Sequence, residues 1–337
     1  MQSTHNESDG AAVSGSPARK ILLRVLRVTL VVAPLVWIYA GIDAGAFMEA
    51  LAGVNVPLLL GIAALNFFNI VLQGVKWWTL LRRFVPHLKL SRAVSVNLES
   101  TFYAIALPSA AAQDIVKSVM LSKSHSPSVV WAASWLSRLL GLVMLLVISV
   151  AGIMYLDSGV LPEGTRAAVV TAVAAVAVLC AASFSKRATH PLRAAAAKVV
   201  PPKYMAKIEK LREGIYAFKY ERAVLIQALI LSAAVQLLAI ACTSLTVFAV
   251  SGKFYFVECL VFVPIVEIMA VSLPLTPGGV GIREALMALL FTRLGFSGEE
   301  IATYVTLSLL LSMVRVFGAT PILYRMITGR KRDAASE

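Results

Sequence analysis

The chain has 337 residues, 59% of them hydrophobic and 15% charged, with a mean hydropathy of +0.81 and a formal net charge of +13. Soluble domains carry about 25% charged residues, so the composition describes a polytopic membrane protein, and its longest polar connection, 185–222, is too short for a second soluble domain. The Lys and Arg residues cluster beside apolar runs, which fits cytoplasmic loops and anionic lipid headgroups and argues against nucleic acid as a partner.

In chain order, residues 1–18 are polar and rich in Ser, Gly and Ala, and read as a disordered cytoplasmic tail. A membrane domain follows over 19–327, with a second tail at 328–337. About 20 apolar residues cross a bilayer; runs of that order occur at 25–42, 56–80, 128–155, 165–184, 223–250 and 300–326. Two further stretches are interrupted. Residues 93–107 lead to Pro108, a patch of small residues and a short helix over 113–123; residues 255–273 lead to Pro274, a glycine patch and a short helix over 283–295. At 1.5 Å per residue the arm 93–107 reaches about 22 Å, short of a ~30 Å hydrocarbon core. Each is expected to be a re-entrant hairpin or a pair of short spans meeting at the midplane. The fold class is therefore an all-α integral membrane protein, with six spanning helices and two broken-helix hairpins, about eight hydrophobic segments in all.

Lys and Arg bias places both termini in the cytoplasm. Residues 43–55 carry Asp43 and Glu49 and no Lys or Arg, and read as an outer loop; the stretch 185–222 carries ten basic residues from Lys186 to Arg222 against three acidic ones and reads as inner. On this parity half one (19–157) inserts its hairpin from inside and half two (165–327) from outside. That is an inverted-topology repeat, as in alternating-access transporters. Within 203–222, Ile208, Leu211, Ile215 and Phe218 form an apolar stripe, expected to lie on the inner leaflet or to bind a partner.

The segment Ser272–Ala285, SLPLTPGGVGIREA, carries the strongest local signal. Gly278, Gly279 and Gly281 permit close backbone approach, and Pro274 and Pro277 stop the incoming helix. The outgoing helix is expected to begin near Gly281 or Ile282, so its free N–H groups would sit beside Arg283 and attract an anion such as a phosphate headgroup. Alternatively, Arg283 pairs with Glu284 or Glu267 and holds the hairpin shut. In the first hairpin Gln113, Asp114 and Lys117 either face a headgroup or, for Asp114 and Lys117, each other. Glu99, Asp114 and Glu267 are candidates for proton coupling, or for structural pairing with Arg138 and Arg315. Those two arginines lie deep in their spans, where an arginine costs roughly 2.5–3.5 kcal/mol, and both need partners. Asn66, Asn69, Gln73 and Lys76 recur at spacings of three, four and three, hence on one helix face, lining a pathway or joining helices. Cys180, Cys242 and Cys259 show no redox or metal spacing, and the four histidines fall outside the spans. No metal, no cofactor and no catalytic motif is read, so an enzyme is not expected.

The run LPLTPGGVGIREALMALLF, followed by LGFSGEEIATYVTLSLLLSMVR, resembles the flippase-like family typified by the transmembrane domain of lysylphosphatidylglycerol synthases, with its P-x-TPGG-x-G-x-RE core. KWWTLLRR and LPSAAAQDIVKSVML resemble its first conserved region less closely. There Ala112 stands for a glycine and Lys117 for an arginine, and Ser137-Arg138 replaces an acid–arginine pair. The resemblance covers nearly all of 20–327. It implies a lipid translocase of the cell inner membrane. The substrate would be an anionic, aminoacyl or polyprenyl-type lipid, and a separately encoded lipid-modifying enzyme is an implied partner. The alternatives are a proton-coupled exporter of a small anion, and a non-transporting accessory subunit of a lipid- or glycan-modifying enzyme.

Overall fold

The computed structural model describes residues 28–29, 31–40, 42–107, 111–156, 164–184, 202–272 and 280–333. Every regular element among them is helical: α1 Val31–Tyr39, α2 Ala44–Ala52, α3 Val56–Leu81, α4 Leu90–Ala104, α5 Ala112–Ser122, α6 Pro127–Tyr155 and α7 Thr165–Phe184. After these come α8 Pro202–Ala217 with a 3-10 turn Phe218–Tyr220, α9 Arg222–Ser251, α10 Phe256–Ser272, α11 Ile282–Arg293, α12 Gly298–Ser312, a 3-10 segment Met313–Ala319, and α13 Thr320–Asp333. Among the described residues four stretches are long and apolar enough to cross a membrane: α3, α6, α9 and the composite Gly298–Thr328. The pair α1 and α2 makes a fifth if taken as one bent span. This is a multi-pass helical membrane protein.

Local chemistry sets the ends. Asn55 accepts the Leu58 N–H at 3.0 Å to start α3, with proline in its first turn. Ser297 and Glu300 form a reciprocal cap on α12, each side chain accepting the other's main-chain N–H, at 3.2 and 2.8 Å. The 43–55 stretch, expected to be a loop, is largely the helix α2. Asp43 caps it by accepting the Ala46 N–H at 2.8 Å, and α2 turns 97° away from α1. The run 165–184, expected to span the membrane, forms a helix with those bounds, but only Val169–Ala181 of it is apolar throughout, shorter than a candidate span.

Both interrupted stretches are helix pairs that return upon themselves: α4 packs on α5, and α10 on α11. The connecting residues 108–110 and 273–279, including Pro108, Pro274, Gly278 and Gly279, lie outside the described residues. The last expected span is not one uniform helix. It tightens into 3-10 winding over Met313–Ala319 where it meets α4 at backbone distance. A Cβ placed on Gly318 would fall 2.2 Å from the carbonyl oxygen of Leu98.

The stripe on α8 also differs from expectation. Ile215 and Phe218 are buried against Trp77, Leu81 and Leu136 instead of facing a leaflet, because α8 packs along α6. Ser128 fixes that packing by donating to the Lys210 carbonyl at 2.7 Å. The Ile208 side chain lies outside the described residues.

Among the described residues the apolar interior comprises two large cores and a small third one of Ile70, Leu98 and Val314, on α3, α4 and the 3-10 segment. One core joins α3, α4, α5, α6 and the α8 end around Trp77, Leu80, Val96, Leu121 and Phe218. The other joins α9, α10, α11 and α12 around Ile240, Phe262, Phe291 and Val305. The helix α9 contributes to both, with Val224 and Ala228 in the first and Ile240 and Val247 in the second.

Gly318→Leu is expected to lower thermal stability in detergent by the equivalent of about 1–3 kcal/mol, the cost of overfilling a packed contact. Gly61→Ala, where an added Cβ meets nothing within 4 Å, is expected to leave the midpoint unchanged. Equal midpoints for the two variants would contradict the close approach of the 3-10 segment to α4.

Candidate functional site: a polar cavity among the helices

A cavity of about 420 Å³ lies where α3, α4, α5, α9, α10, α11, α12 and the 3-10 segment meet. Its lining is polar although the helices around it are apolar overall, which in a membrane requires a protein-enclosed or wet space.

The α3 stripe supplies one wall. Asn66, Asn69 and Gln73 line the cavity. Asn69 also donates to the Val235 carbonyl at 2.8 Å, joining α3 to α9, so the stripe both lines the space and holds helices together. Gln73 donates to Asn69 Oδ1 at 2.8 Å and Asn66 to the Ile62 carbonyl at 3.0 Å. Lys76 leaves this face. It is buried and donates to the Ser137 carbonyl on α6 at 3.0 Å.

The opposite wall comes from the second hairpin and the last helix. Gly281, at φ 88°, precedes α11, which begins at Ile282 as expected. That φ is accessible to glycine without a Cβ clash. Its N–H donates to Glu284 Oε2 at 2.7 Å, so Glu284 turns back to cap its own helix. Arg283 pairs with Glu267 across the hairpin at 2.7 Å. The pair does not exhaust the guanidinium: Arg283 Nε is buried with no partner among the described residues. Arg315, from the 3-10 segment, lines the same cavity, makes no hydrogen bond or ion pair among the described residues, and lies within electrostatic range of Arg283, Glu267 and Glu284. Two guanidinium groups therefore share a space containing one carboxylate already paired and one engaged as a cap.

From the first hairpin Thr101, Ala104 and Gln113 reach the cavity, the last held by its 3.3 Å donation to Asn97 Oδ1. Asp114 and Lys117 are elsewhere. Asp114 accepts from Lys117 at 2.6 Å and from Arg138 at 2.9 Å, while Lys117 also sits 5.4 Å from the Trp77 ring centre. The acid that Ser137 does not supply to Arg138 thus comes from α5. Glu99 is buried too, and its partner is neither Arg138 nor Arg315. Arg325 of α13 pairs with it, and Ser95 donates to its other oxygen at 2.9 Å. Gly278 and Gly279 fall outside the described residues.

Several lining residues escaped the sequence reading. Gln236, Thr243 and Thr246 on α9, with Ala239, follow spacings of three, four and three, the same period as the α3 stripe. Tyr304, Ser308 and Ser312 on α12 lead at similar spacing to Arg315. The period was available; the weak polarity of Thr and Ser hid it within runs dominated by Val, Leu and Ala. Among the described residues no group of three or more His, Cys, Asp or Glu could hold a metal, and the three cysteines are free thiols.

A family model described as lysylphosphatidylglycerol synthase TM region matches residues 24–318. No curated protein matches the chain.

Asp114→Asn removes the carboxylate that Lys117 and Arg138 share and is expected to destabilise the protein by about 3–5 kcal/mol, as breaking buried pairs does. Arg315→Ala removes a buried cation that faces another, and is expected to leave the unfolding midpoint in detergent at or above that of the unsubstituted protein. The reverse order of stability would contradict this assignment of partners.

Proposed function

The chain belongs to the lysylphosphatidylglycerol synthase TM region family, and from that premise we propose that it is a lipid translocase of the cell inner membrane whose substrate places a negatively charged headgroup in the central cavity. The observation that carries the proposal is that Arg283 and Arg315 line one polar space, with an orphaned Nε on the first and no hydrogen bond or ion pair on the second among the described residues. A phosphate accepts the planar guanidinium fork in two hydrogen bonds, so an anionic headgroup would give both arginines a further partner beside Glu267 and Glu284. The amide and hydroxyl walls let a polar headgroup travel through the protein while acyl chains stay in lipid.

The cavity is lined by helices of both halves, α3, α4 and α5 from the first and α9 to α12 from the second, which suits a cycle in which one half rocks against the other around a fixed site. On this view the inverted Lys/Arg parity of the halves, and their re-entrant hairpins, supply the two access routes. The pairs Glu267–Arg283, Asp114–Arg138 and Glu99–Arg325 exchange partners between the inward-facing and outward-facing states. A carrier of this kind forms no covalent bond with its substrate, and the chemistry it needs is positioning and charge neutralisation alone.

In proteoliposomes carrying a fluorescent short-chain phosphatidylglycerol, Arg283→Ala and Arg315→Ala are each expected to slow lipid movement at least about tenfold, the cost of one charge-assisted hydrogen bond. Arg283→Lys is expected to fall between, since it keeps the charge and loses the fork. Lipid movement at the unsubstituted rate in both alanine variants would overturn the proposal. Flux of a soluble anion without lipid movement would replace it with an exporter.

A further inference from the structure

We propose that this cavity carries a proton together with its anionic lipid, and that Glu267 is the group that binds the proton; the inference rests on the reading of Arg283 and Arg315 as an anion site. It follows from the charges that line the space. Glu267, Arg283, Glu284 and Arg315 are its acidic and basic residues, and Arg315 lies within electrostatic reach of the other three. The connections 108–110 and 273–279, outside the described residues, contain no Asp, Glu, Lys, Arg or His. Two carboxylates and two guanidinium groups sum to zero, so the lining is neutral. An anionic headgroup entering it adds a negative charge at membrane depth, where an uncompensated charge is costly. A cation that enters with it removes that cost. Among the described residues no group of three or more His, Cys, Asp or Glu could hold a metal ion in that role, whereas a proton needs a single carboxylate whose partner is taken away.

Glu267 is that carboxylate. It sits on α10 and pairs with Arg283 of α11 at 2.7 Å, and neither side chain is sealed off, Glu267 being 33% exposed and Arg283 28%. Glu284 is buried, and its Oε2 accepts the Gly281 N–H at 2.7 Å, which ties it to the start of α11. Tyr304 of α12 and Cys242 of α9, the remaining titratable groups of the lining, carry their protons at neutral pH and have none to gain. The helix α6, packed along α10, has Arg138 as its one charged residue, and Asp114 of α5 holds it. From α3, α4 and α5 the lining takes amides and a hydroxyl and no charged residue.

Glu267 does not use up the guanidinium of Arg283, whose Nε is buried with no partner among the described residues. A phosphate that takes two of its N–H groups puts a second anion on the guanidinium that holds Glu267. Two like charges sharing one site are not both kept ionised. The phosphodiester is the stronger acid, so the proton goes to the carboxylate. An O–H bond forms on Glu267, with the proton drawn from the solvent to which the cavity is open, and the Arg283 N–H that it held passes to a phosphate oxygen. When the lipid leaves on the other side, the carboxylate gives up that proton and recaptures Arg283. The cycle moves a proton with each anion, carries no net charge, and is driven by a pH difference across the membrane.

The test is calorimetry of dioctanoyl phosphatidylglycerol binding to the full-length protein in detergent, repeated near neutral pH in buffers of different ionisation enthalpy, which counts the protons taken up and needs no variant. About one proton per lipid is expected, with an affinity that falls as pH rises, by up to about tenfold per pH unit. Glu267→Gln is expected to bind the lipid without proton uptake and without that pH dependence, and its binding also shows that the variant is folded. Glu267→Asp, which keeps a carboxylate, is expected to retain the uptake. Arg283→Ala is expected to weaken binding at least about tenfold. Binding by the unsubstituted protein with no proton uptake overturns the proton inference alone. Uptake that persists in Glu267→Gln overturns the assignment to Glu267. Binding that is indifferent to Arg283→Ala instead overturns the anion reading beneath it.

Discussion

An ionised side chain at membrane depth must find a counter-charge inside the protein or forfeit several kcal/mol, and the arrangement of this molecule follows from that demand. Asp114 on α5 holds Lys117 and reaches Arg138 on α6; Glu99 on α4 holds Arg325 on α13; Glu267 on α10 holds Arg283 on α11. Two of these pairings tie the first hairpin to long helices on either side of it, and the third closes the second hairpin on itself. Each makes a helix too short to span a bilayer tolerable by giving its charged residue a fixed partner. Arg315 stands apart. It lies in the same space as Arg283, Glu267 and Glu284, within electrostatic reach of all three, and makes no hydrogen bond or ion pair among the described residues.

The packing around Arg315 links that cation to the rest of the fold. The residues that carry it wind as a 3-10 segment, and Gly318 within that segment lies against the α4 backbone at a distance that excludes any side chain. A short 3-10 stretch inside a longer helix is a common site of bending. Movement of Arg315 toward an anion would pull on α4, which also carries the Glu99 partner of Arg325. A ligand in the cavity and the first hairpin are thus mechanically joined through one closely packed glycine.

Much of this was legible from residue order alone. Helix, break, helix at 93–123 and 255–295, the start of α11 beside Gly281, and the polar face of Asn66, Asn69 and Gln73 all follow from period, from proline and glycine, and from arm length. Which polar groups meet was not legible, because periodicity assigns a residue to a face and says nothing about which helix packs there. The Glu99–Arg325 pair joins residues 226 positions apart, and Arg325 reads from sequence only as a topology charge. The stripe ending at Phe218 has the pattern of a leaflet-bound helix, and only the presence of α6 alongside shows that it is covered by protein. The α2 helix hid in a short stretch that charge counting treated as a loop. The 3-10 segment was invisible to hydropathy, which sees one apolar run from Gly298 to Thr328.

The central claim is that a headgroup-sized polar space lies at membrane depth, open to water and emptied of it by substrate. In a variant with Cys180, Cys242 and Cys259 replaced by alanine, a cysteine at Ser312 can be challenged with a membrane-impermeant maleimide in proteoliposomes. A cysteine at Leu60, which is 67% exposed on the outer face of α3, serves as the lipid-facing control. The account predicts that the Ser312 position reacts, that a phosphate-bearing lipid slows the reaction, and that the Leu60 position does not react. A Ser312 position that stays unmodified from both faces of the membrane, with or without lipid substrate, would contradict it.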